Sequence, residues 1–174
     1  MNNQEILFGS ETEKRVRLQT ADQVVHVVPR AWMEMAGLIK DMIEDEDGDS
    51  NEVIPLPNIE ESETLKKVIS YCEYHHNNKA VEIEKPLSKP FNECVCGWDF
   101  NFVNVEFEPT LKKMIMAANY INCKDMLDLC CAKVATMIKG KTPEEMRALF
   151  GIVNDFTPEE EEKIREENKW VEEH

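Results

Sequence analysis

Residues 16–28, VRLQTADQVVHVV, decide the fold class of this 174-residue chain, because they predict two short strands joined by a turn. From Val16 to Thr20 the apolar and polar side chains alternate, which is the pattern of a half-buried strand. Val24 to Val28 is rich in β-branched residues, which favour strands. We therefore expect a β-hairpin, in which His26 is a packed or solvent-facing residue rather than a metal ligand.

A helix and a third strand are predicted directly after the hairpin. Pro29 ends the second strand and opens a helix over residues 30–44, in which apolar side chains recur at helical spacing. The acidic residues 44–52 resemble a calcium-binding loop in composition, but their spacing does not fit the EF-hand pattern, so they are interpreted as a solvated loop. Val53 to Pro57 predicts a short strand whose prolines suit the edge of a sheet.

The rest of the chain is predicted to be mainly helical. Its amphipathic segments are residues 59–76, 111–118 and 127–138. Residues 77–93 have no sustained period and predict a surface loop. Residues 1–15 are polar and charged, so we expect a disordered N-terminus. Three short strands with helices collected beside them make an α+β domain.

The charge and composition of the chain exclude several classes of protein. It has 20 basic and 35 acidic residues and a formal net charge of −15, which argues against a nucleic-acid-binding surface. No stretch approaches the ~20 apolar residues of a membrane span. The start of the chain has no signal-peptide pattern, so we expect an intracellular protein without a membrane partner. The six cysteines are then expected to be free thiols.

Two helix-start signals follow Gly140, a residue that is itself a natural helix stop. The sequence TPEE occurs at residues 142–145 and again at residues 157–160. In each copy the threonine can cap a helix, the proline suits the first helical position, and the second glutamate can reach back to the cap. The tail is therefore predicted to form two short helices joined by the apolar linker at residues 151–156.

The second tail helix leaves two interpretations open. Its expected ion pairs, such as Glu161 with Arg165, stabilise a helix by only ~0.2–0.5 kcal/mol each. Its few apolar side chains, chiefly Ile164 and Trp170, are too little to bury on its own chain. Such a helix is either a frayed, solvated acidic tail or a platform that gains order against a partner. Trp170 and the apolar linker favour the platform.

The residues that could form a metal site or a thiol active site do not match the sequence spacing that such sites usually have. His75, His76, Cys94 and Cys96 have the atoms for a zinc site, but the C-x-C spacing is tighter than usual. They are interpreted as two loop cysteines beside a pair of histidines at a helix end. No cysteine combines a helix start with a histidine close in sequence, as a thiol enzyme would favour. We predict no catalytic residue, no metal and no cofactor.

Several motifs resemble the SCF ubiquitin-ligase adaptor family, the Skp-type proteins that join a cullin to F-box subunits. They are Trp98-Asp99, Ala117-Ala118-Asn119-Tyr120, MIKGKTPEE at residues 137–145 and NDFT at residues 154–157. The resemblance implies a BTB/POZ-like domain over residues 16–123 and a C-terminal helical F-box-binding region over residues 124–174. It also implies a non-enzymatic adaptor in the ubiquitin-conjugation pathway of protein degradation, located in the cytoplasm and nucleus.

The same resemblance implies which residues bind partners. Asn119 and Tyr120 match positions that face the cullin N-terminal domain. The F-box-binding positions are mostly apolar or aromatic, as an interface core requires. They are Leu127, Cys131, Val134, Phe150, Ile152, Asn154, Phe156, Ile164, Asn168 and Trp170.

Three further expectations accompany that assignment. Pro143 matches a proline that is hydroxylated and glycosylated in some protist relatives, so it is a possible modification site. Lys112 and Lys113 stand where relatives often carry a hydrophobic and an acidic residue, beside the cullin-facing positions. A weak homodimer is possible when the protein is free. The alternative function is a BTB-type scaffold in F-box or helical-partner assemblies that are not ligases.

Overall fold

The computed structural model describes residues 5–9, 14–45 and 52–168, and the chain divides into two compact units between Lys139 and Gly140. The strands are β1 (Glu5–Leu7), β2 (Arg15–Thr20), β3 (Val25–Pro29) and β4 (Val53–Leu56). The helices of the first unit are α1 (Gly37–Asp45), α2 (Ser62–Asn77), α3 (Phe91–Cys94), α4 (Gly97–Phe102), α5 (Lys112–Tyr120) and α6 (Lys124–Ile138). A 3₁₀ helix spans Arg30–Met35 and a π-helical segment spans Phe107–Leu111. The second unit contains α7 (Pro143–Phe150) and α8 (Pro158–Glu167).

The sheet has the strand order β1-β3-β2-β4, with the predicted hairpin at its centre. β2 and β3 pair antiparallel, with Leu18 opposite His26, as the hairpin prediction requires. β4 pairs parallel with β2 and forms one edge of the sheet. Pro55, which lacks an amide hydrogen, lies on that edge strand, so the expectation for its prolines is confirmed.

The structure corrects the prediction of disorder at the N-terminus for residues 5–9. Glu5–Leu7 forms β1 and pairs parallel with β3, with Ile6 opposite His26. This mostly polar segment contains a short apolar run, Ile6 to Phe8, and the edge of β3 offers backbone hydrogen-bond partners to it. The prediction is also wrong for the last two residues of the segment, because the Lys14 carbonyl accepts a hydrogen bond from the Arg30 amide (2.8 Å) and β2 begins at Arg15. Residues 1–4 and 10–13 of the predicted segment lie outside the described residues.

The predicted helix over residues 30–44 is in fact two helices. The 3₁₀ helix ends at Met35, the backbone of Ala36 is extended (φ −95°, ψ 93°), and α1 begins at Gly37. The Gly37 amide donates to the Asn122 carbonyl (3.3 Å) and the Leu38 amide donates to the Ile121 carbonyl (3.0 Å). The chain breaks here because the junction between α5 and α6 supplies acceptors for amides at the start of α1.

The core of the first unit lies between one face of the sheet and α2, α5 and α6. Its fully buried side chains include Leu18, Ile39, Leu65, Met114 and Met126. The break predicted between the last two core helices is present, with Asn122 at a positive φ of 56°. No helix in the described ranges has both the length and the apolar character that crossing a membrane requires.

The region between α2 and α5 contains more structure than was predicted. Residues 77–93 were expected to be a loop, but α3 begins at Phe91, and α4 follows over Gly97–Phe102. Both helices are short, so a helical period cannot be recognised in the sequence. They nevertheless bury Phe91 and Asp99.

His26 makes stability depend on pH, because it is fully buried and its Nε2 lies 3.1 Å from the Ser62 hydroxyl. Burial, and secondarily the Lys66 charge, lowers the pKa of His26 below its ordinary value of 6.5, against the opposing pull of Asp22 and Glu63. The unfolded chain therefore binds a proton at higher pH than the folded chain, so the stability from neutral His26 is complete above pH 6.5 and is lost as the pH falls.

We expect His26→Gln, which cannot titrate, to lose less stability than the wild type when the pH is lowered. Urea unfolding at pH 7.5 and pH 5.0, both chosen to bracket the ordinary histidine pKa of about 6.5, measures this difference. Glutamine can still hydrogen-bond Ser62, so the comparison isolates the charge. The assignment is wrong if both proteins lose the same stability.

Candidate partner-binding surfaces

Both tail helices begin with the capping arrangement that the sequence predicts. The Thr142 hydroxyl accepts from the Glu145 amide (3.2 Å), while the Glu145 carboxylate accepts from the Thr142 amide (3.0 Å). Thr157 and Glu160 repeat this reciprocal pair at the start of α8. The predicted helix starts and the stop at Gly140, which has a φ of 73°, are therefore confirmed.

Glu161 connects three parts of the second unit. Its Oε1 accepts from the Arg147 guanidinium (3.3 Å) and from the Asn154 side-chain amide (2.8 Å). The same Arg147 lies over the Phe156 ring, 5.9 Å from the ring centre. The expected pairing of Glu161 with Arg165 is therefore corrected, because Glu161 holds α7 and the linker, while Arg165 lies 3.9 Å from Glu162.

Asn154, which belongs to the linker, fixes the linker backbone through its side chain. Besides donating to Glu161, its side-chain oxygen accepts from the Phe156 amide (3.4 Å). Such a bond from an asparagine to the amide two residues later is a turn contact that fixes the local backbone. Both polar ends of the Asn154 side chain are thus used within the second unit, and they hold the linker backbone at Phe156.

An open groove of about 820 Å³ lies within the second unit. Its lining combines apolar side chains with two arginines and three residues from the start of α7. The lining residues are Thr142, Pro143, Glu144, Arg147, Phe156, Glu161, Ile164, Arg165 and Asn168. Of the predicted F-box-binding residues, the groove brings together Phe156, Ile164 and Asn168.

The groove exposes apolar side chains that a folded chain usually covers. Phe156 is 46% exposed and Ile164 is 41% exposed. Helix α8 has no buried residue at all among its described side chains. Within the part of the second unit that the structure describes, α7 and α8 therefore present an apolar surface and contain no buried residue.

The other predicted tail residues have different positions. Phe150 is half-buried at the end of α7, and Ile152 is 56% exposed in the linker, outside the groove lining. Trp170 lies outside the described residues. Val153, which was not among the predicted residues, is 82% exposed in the same linker and also lies outside the groove lining.

Three predicted F-box-binding residues belong to the first unit, on α6. Leu127, Cys131 and Val134 follow helical spacing, so they share one face of the helix. Leu127 and Val134 are half-buried against the core, whereas Cys131 is exposed. Partial burial and the nearby Asp128 raise the pKa of the Cys131 thiol, which keeps it protonated and suited to apolar contact.

The predicted cullin-binding residues lie at the end of α5. Asn119 is exposed and Tyr120 is half-buried against the core. The sequence reasoning did not select Met116, which is 62% exposed and lies on the same helix face, three residues before Asn119. Beside this face, Lys112 pairs with Glu108 (3.2 Å) and Lys113 with Glu61 (2.6 Å).

The four residues considered as zinc ligands do not act as a group. His75 Nε2 lies 2.8 Å from Asp99 Oδ1 and its Nδ1 lies 2.8 Å from the Asn78 carbonyl oxygen, so both ring nitrogens already have hydrogen-bond partners in the protein. The Cys96 thiol donates to Asp99 Oδ2 (3.3 Å). His76 is exposed, and the Cys94 thiol lies 3.6 Å from the Lys89 carbonyl. Among the described residues, no three His, Cys, Asp or Glu side chains are arranged to hold a metal.

Comparison with known proteins identifies the family. Residues 14–77 match the tetramerisation domain of the Skp1 family, and residues 124–171 match its dimerisation domain. This chain belongs to the Skp1 family. The α+β fold class and the BTB/POZ-like domain predicted from the sequence are thereby confirmed.

Individual Skp1-family relatives match nearly the whole chain. The S-phase kinase-associated protein 1 homolog of Tetrahymena thermophila is 47% identical over 160 residues, 91% of this chain and 95% of the relative. The SCF subunit sconC of an E3 ubiquitin ligase complex in Talaromyces stipitatus is 47% identical over 158 residues, 91% of this chain and 97% of the relative. A Skp1-related protein of Caenorhabditis elegans is 38% identical over 177 residues, 99% of each chain.

Proposed function

We propose that this Skp1-family chain is the non-enzymatic adaptor of an SCF-type E3 ubiquitin ligase, and that it joins a cullin scaffold to F-box substrate receptors. Membership of the Skp1 family, and relatives that are named as subunits of SCF ubiquitin ligase complexes, support this role. The main structural support for the adaptor role is the apolar groove between α7 and α8, in which Phe156 and Ile164 are exposed.

The groove favours an amphipathic helical segment as its occupant. An amphipathic helix binds by placing its apolar face in a groove, and the exposed Phe156 and Ile164 supply the complementary surface. Leu127, Cys131 and Val134 are proposed as further F-box contacts on α6. The proposed adaptor contributes only positioning: it holds the substrate and the ubiquitin-loaded enzyme near each other, at a high effective concentration.

The test of this function is affinity purification with mass spectrometry, comparing the intact chain with one that ends at Lys139. We expect the intact chain to recover F-box proteins and a cullin, and the shortened chain to retain the cullin and lose the F-box proteins. Recovery of F-box proteins without any cullin by the intact chain would instead favour a scaffold in assemblies that are not ligases.

The cullin face on α5 is tested by the double substitution Met116→Lys and Asn119→Lys. Both side chains are exposed, so the fold should tolerate the change, while two new charges at a desolvated contact should weaken cullin binding at least ~10-fold. Titration calorimetry with a cullin N-terminal domain measures the effect, and Asn101→Lys on α4 is the control. Loss of F-box binding with normal cullin binding would show that the face is wrongly assigned.

A further inference from the structure

Residues 5–9 close the edge of β3, and we call them the guard strand. β1 pairs parallel with β3 in the register Glu5 to Val25, Ile6 to His26 and Leu7 to Val27. The Phe8 amide extends the pairing by donating to the Val27 carbonyl (2.9 Å). Without the guard strand, the backbone groups of β3 that point away from β2 would have no partner in the sheet.

Side chains fasten the guard strand at several points. The Phe8 ring stacks on the buried His26 ring, with 5.9 Å between the ring centres and 19° between the planes. Glu5 forms an ion pair with Arg17 on β2. The Gly9 carbonyl accepts from the Arg15 guanidinium (3.3 Å). Together with the backbone pairing to β3, these three contacts hold a segment of five residues in one place.

Gly9 is required by the geometry of this attachment. Its φ of 70° lies in the region that side chains rarely adopt, and a Cβ there would lie 2.6 Å from Cγ of Pro29. Pro29 ends β3, and its ring cannot move aside as a flexible side chain would. Any larger residue at position 9 must therefore shift the guard strand away from β3.

The edge beneath the guard strand is a good template for another strand. β3 reads VHVVP, carries no acidic or lysine residue that would discourage pairing, and has its proline only at the last position, Pro29, so Val25 to Val28 keep their amide hydrogens. The opposite edge of the sheet, β4, is protected by Pro55. β1 itself is only three residues long and carries Glu5, so it replaces a long apolar edge with a short charged one.

We propose that the guard strand keeps the edge of β3 from pairing with a second copy of the chain, and that its removal lets β3 pair antiparallel with β3 of that copy. A second copy is the fitting occupant because a two-fold axis through the strand centre, at Val27, makes the same five residues self-complementary. This inference concerns the sheet edge and does not depend on the proposed ligase role.

The first experiment compares Gly9→Ala with Gly97→Ala in the full chain. At Gly97 a Cβ meets nothing within 4 Å, so this variant controls for the exchange of glycine for alanine. We expect Gly9→Ala to speed amide hydrogen exchange along β3 by at least ~10-fold and to form a concentration-dependent dimer, measured by mass spectrometry and sedimentation. Wild-type exchange and a monomer for Gly9→Ala would overturn the proposal.

The second experiment deletes residues 1–9, which removes the guard strand whether or not Gly9→Ala is tolerated. A folded dimer is expected, and adding Val27→Lys should return it to a monomer, because like charges would then lie opposite each other on paired β3 strands. A deletion variant that stays folded and monomeric contradicts the proposal. So does a dimer that survives Val27→Lys, since it would form through another surface. If the deletion unfolds the chain, the Gly9→Ala result decides.

Discussion

Phe156→Ala is expected to weaken binding of an F-box peptide by about 2 kcal/mol or more, which corresponds to roughly a 30-fold higher Kd. The ring lines the groove of the second unit with nearly half its surface exposed, so a partner can cover it. Arg147 lies over the ring, 5.9 Å from its centre, and is itself paired with Glu161, so the aromatic anchor contacts a side chain that is held in place. Anchors of this kind carry most of the energy of an interface.

Val153→Ala is the matched control for this measurement. Val153 is more exposed than Phe156 and lies in the same linker, but it is not part of the groove lining. Its truncation should change the affinity by less than ~0.5 kcal/mol, as most contacts outside an anchor do. Equal effects of the two substitutions in titration calorimetry would mean that the linker, and not the groove, binds the peptide.

The tail shows which parts of this structure a sequence can predict. Its helix starts depend on residues within one turn of each other, so Thr142 and Glu145 reveal the first helix without knowledge of the fold. The hydrogen bond between Arg147 and Glu161 joins residues fourteen positions apart, so no local sequence pattern predicts it. The sequence therefore predicted the helices and most of the apolar groove residues, but not the polar contacts that fix their arrangement.

The prediction of disorder at the N-terminus was wrong for a related reason. Composition averaged over residues 1–15 predicted disorder, yet three apolar residues within that segment were enough to form β1, because β3 offered an unpaired edge. Whether a short run becomes a strand depends on a partner far away in sequence. The same limit hid α4, whose six residues are placed by contacts with the end of α2 rather than by their own period.

The family motif Trp98-Asp99 has a structural explanation at that site. Asp99 accepts from His75 and from the Cys96 thiol, and its side chain is 5% exposed. The Trp98 ring stacks on Tyr74, with 4.0 Å between the ring centres and 2° between the planes. The motif therefore connects α4 to the end of α2. Trp98-Asp99, which was used to recognise the family, thus also has a structural role in the packing of the first unit.

Asp99→Leu is accordingly expected to lower the free energy of unfolding by about 3 kcal/mol, because it leaves the buried His75 ring without its carboxylate partner. The His75 side chain is 1% exposed, so water cannot replace the lost acceptor without opening the packing. Urea unfolding measures the loss. Asp41→Leu, an exposed position on α1, is the control and should stay within ~0.5 kcal/mol of the wild type.

A double substitution separates the polar bond from simple loss of packing. His75→Phe keeps a ring against Tyr71, whose centre lies 4.3 Å away, and removes the group that Asp99→Leu leaves unpaired. Replacing both members of a buried pair by apolar groups is often nearly neutral, so the double variant should be more stable than Asp99→Leu alone. If its loss equals the sum of the two single losses, Asp99 and His75 stabilise the fold independently of each other and the bond between them is not the stabilising contact. A loss well below that sum means that the hydrogen bond between α2 and α4 is the stabilising contact.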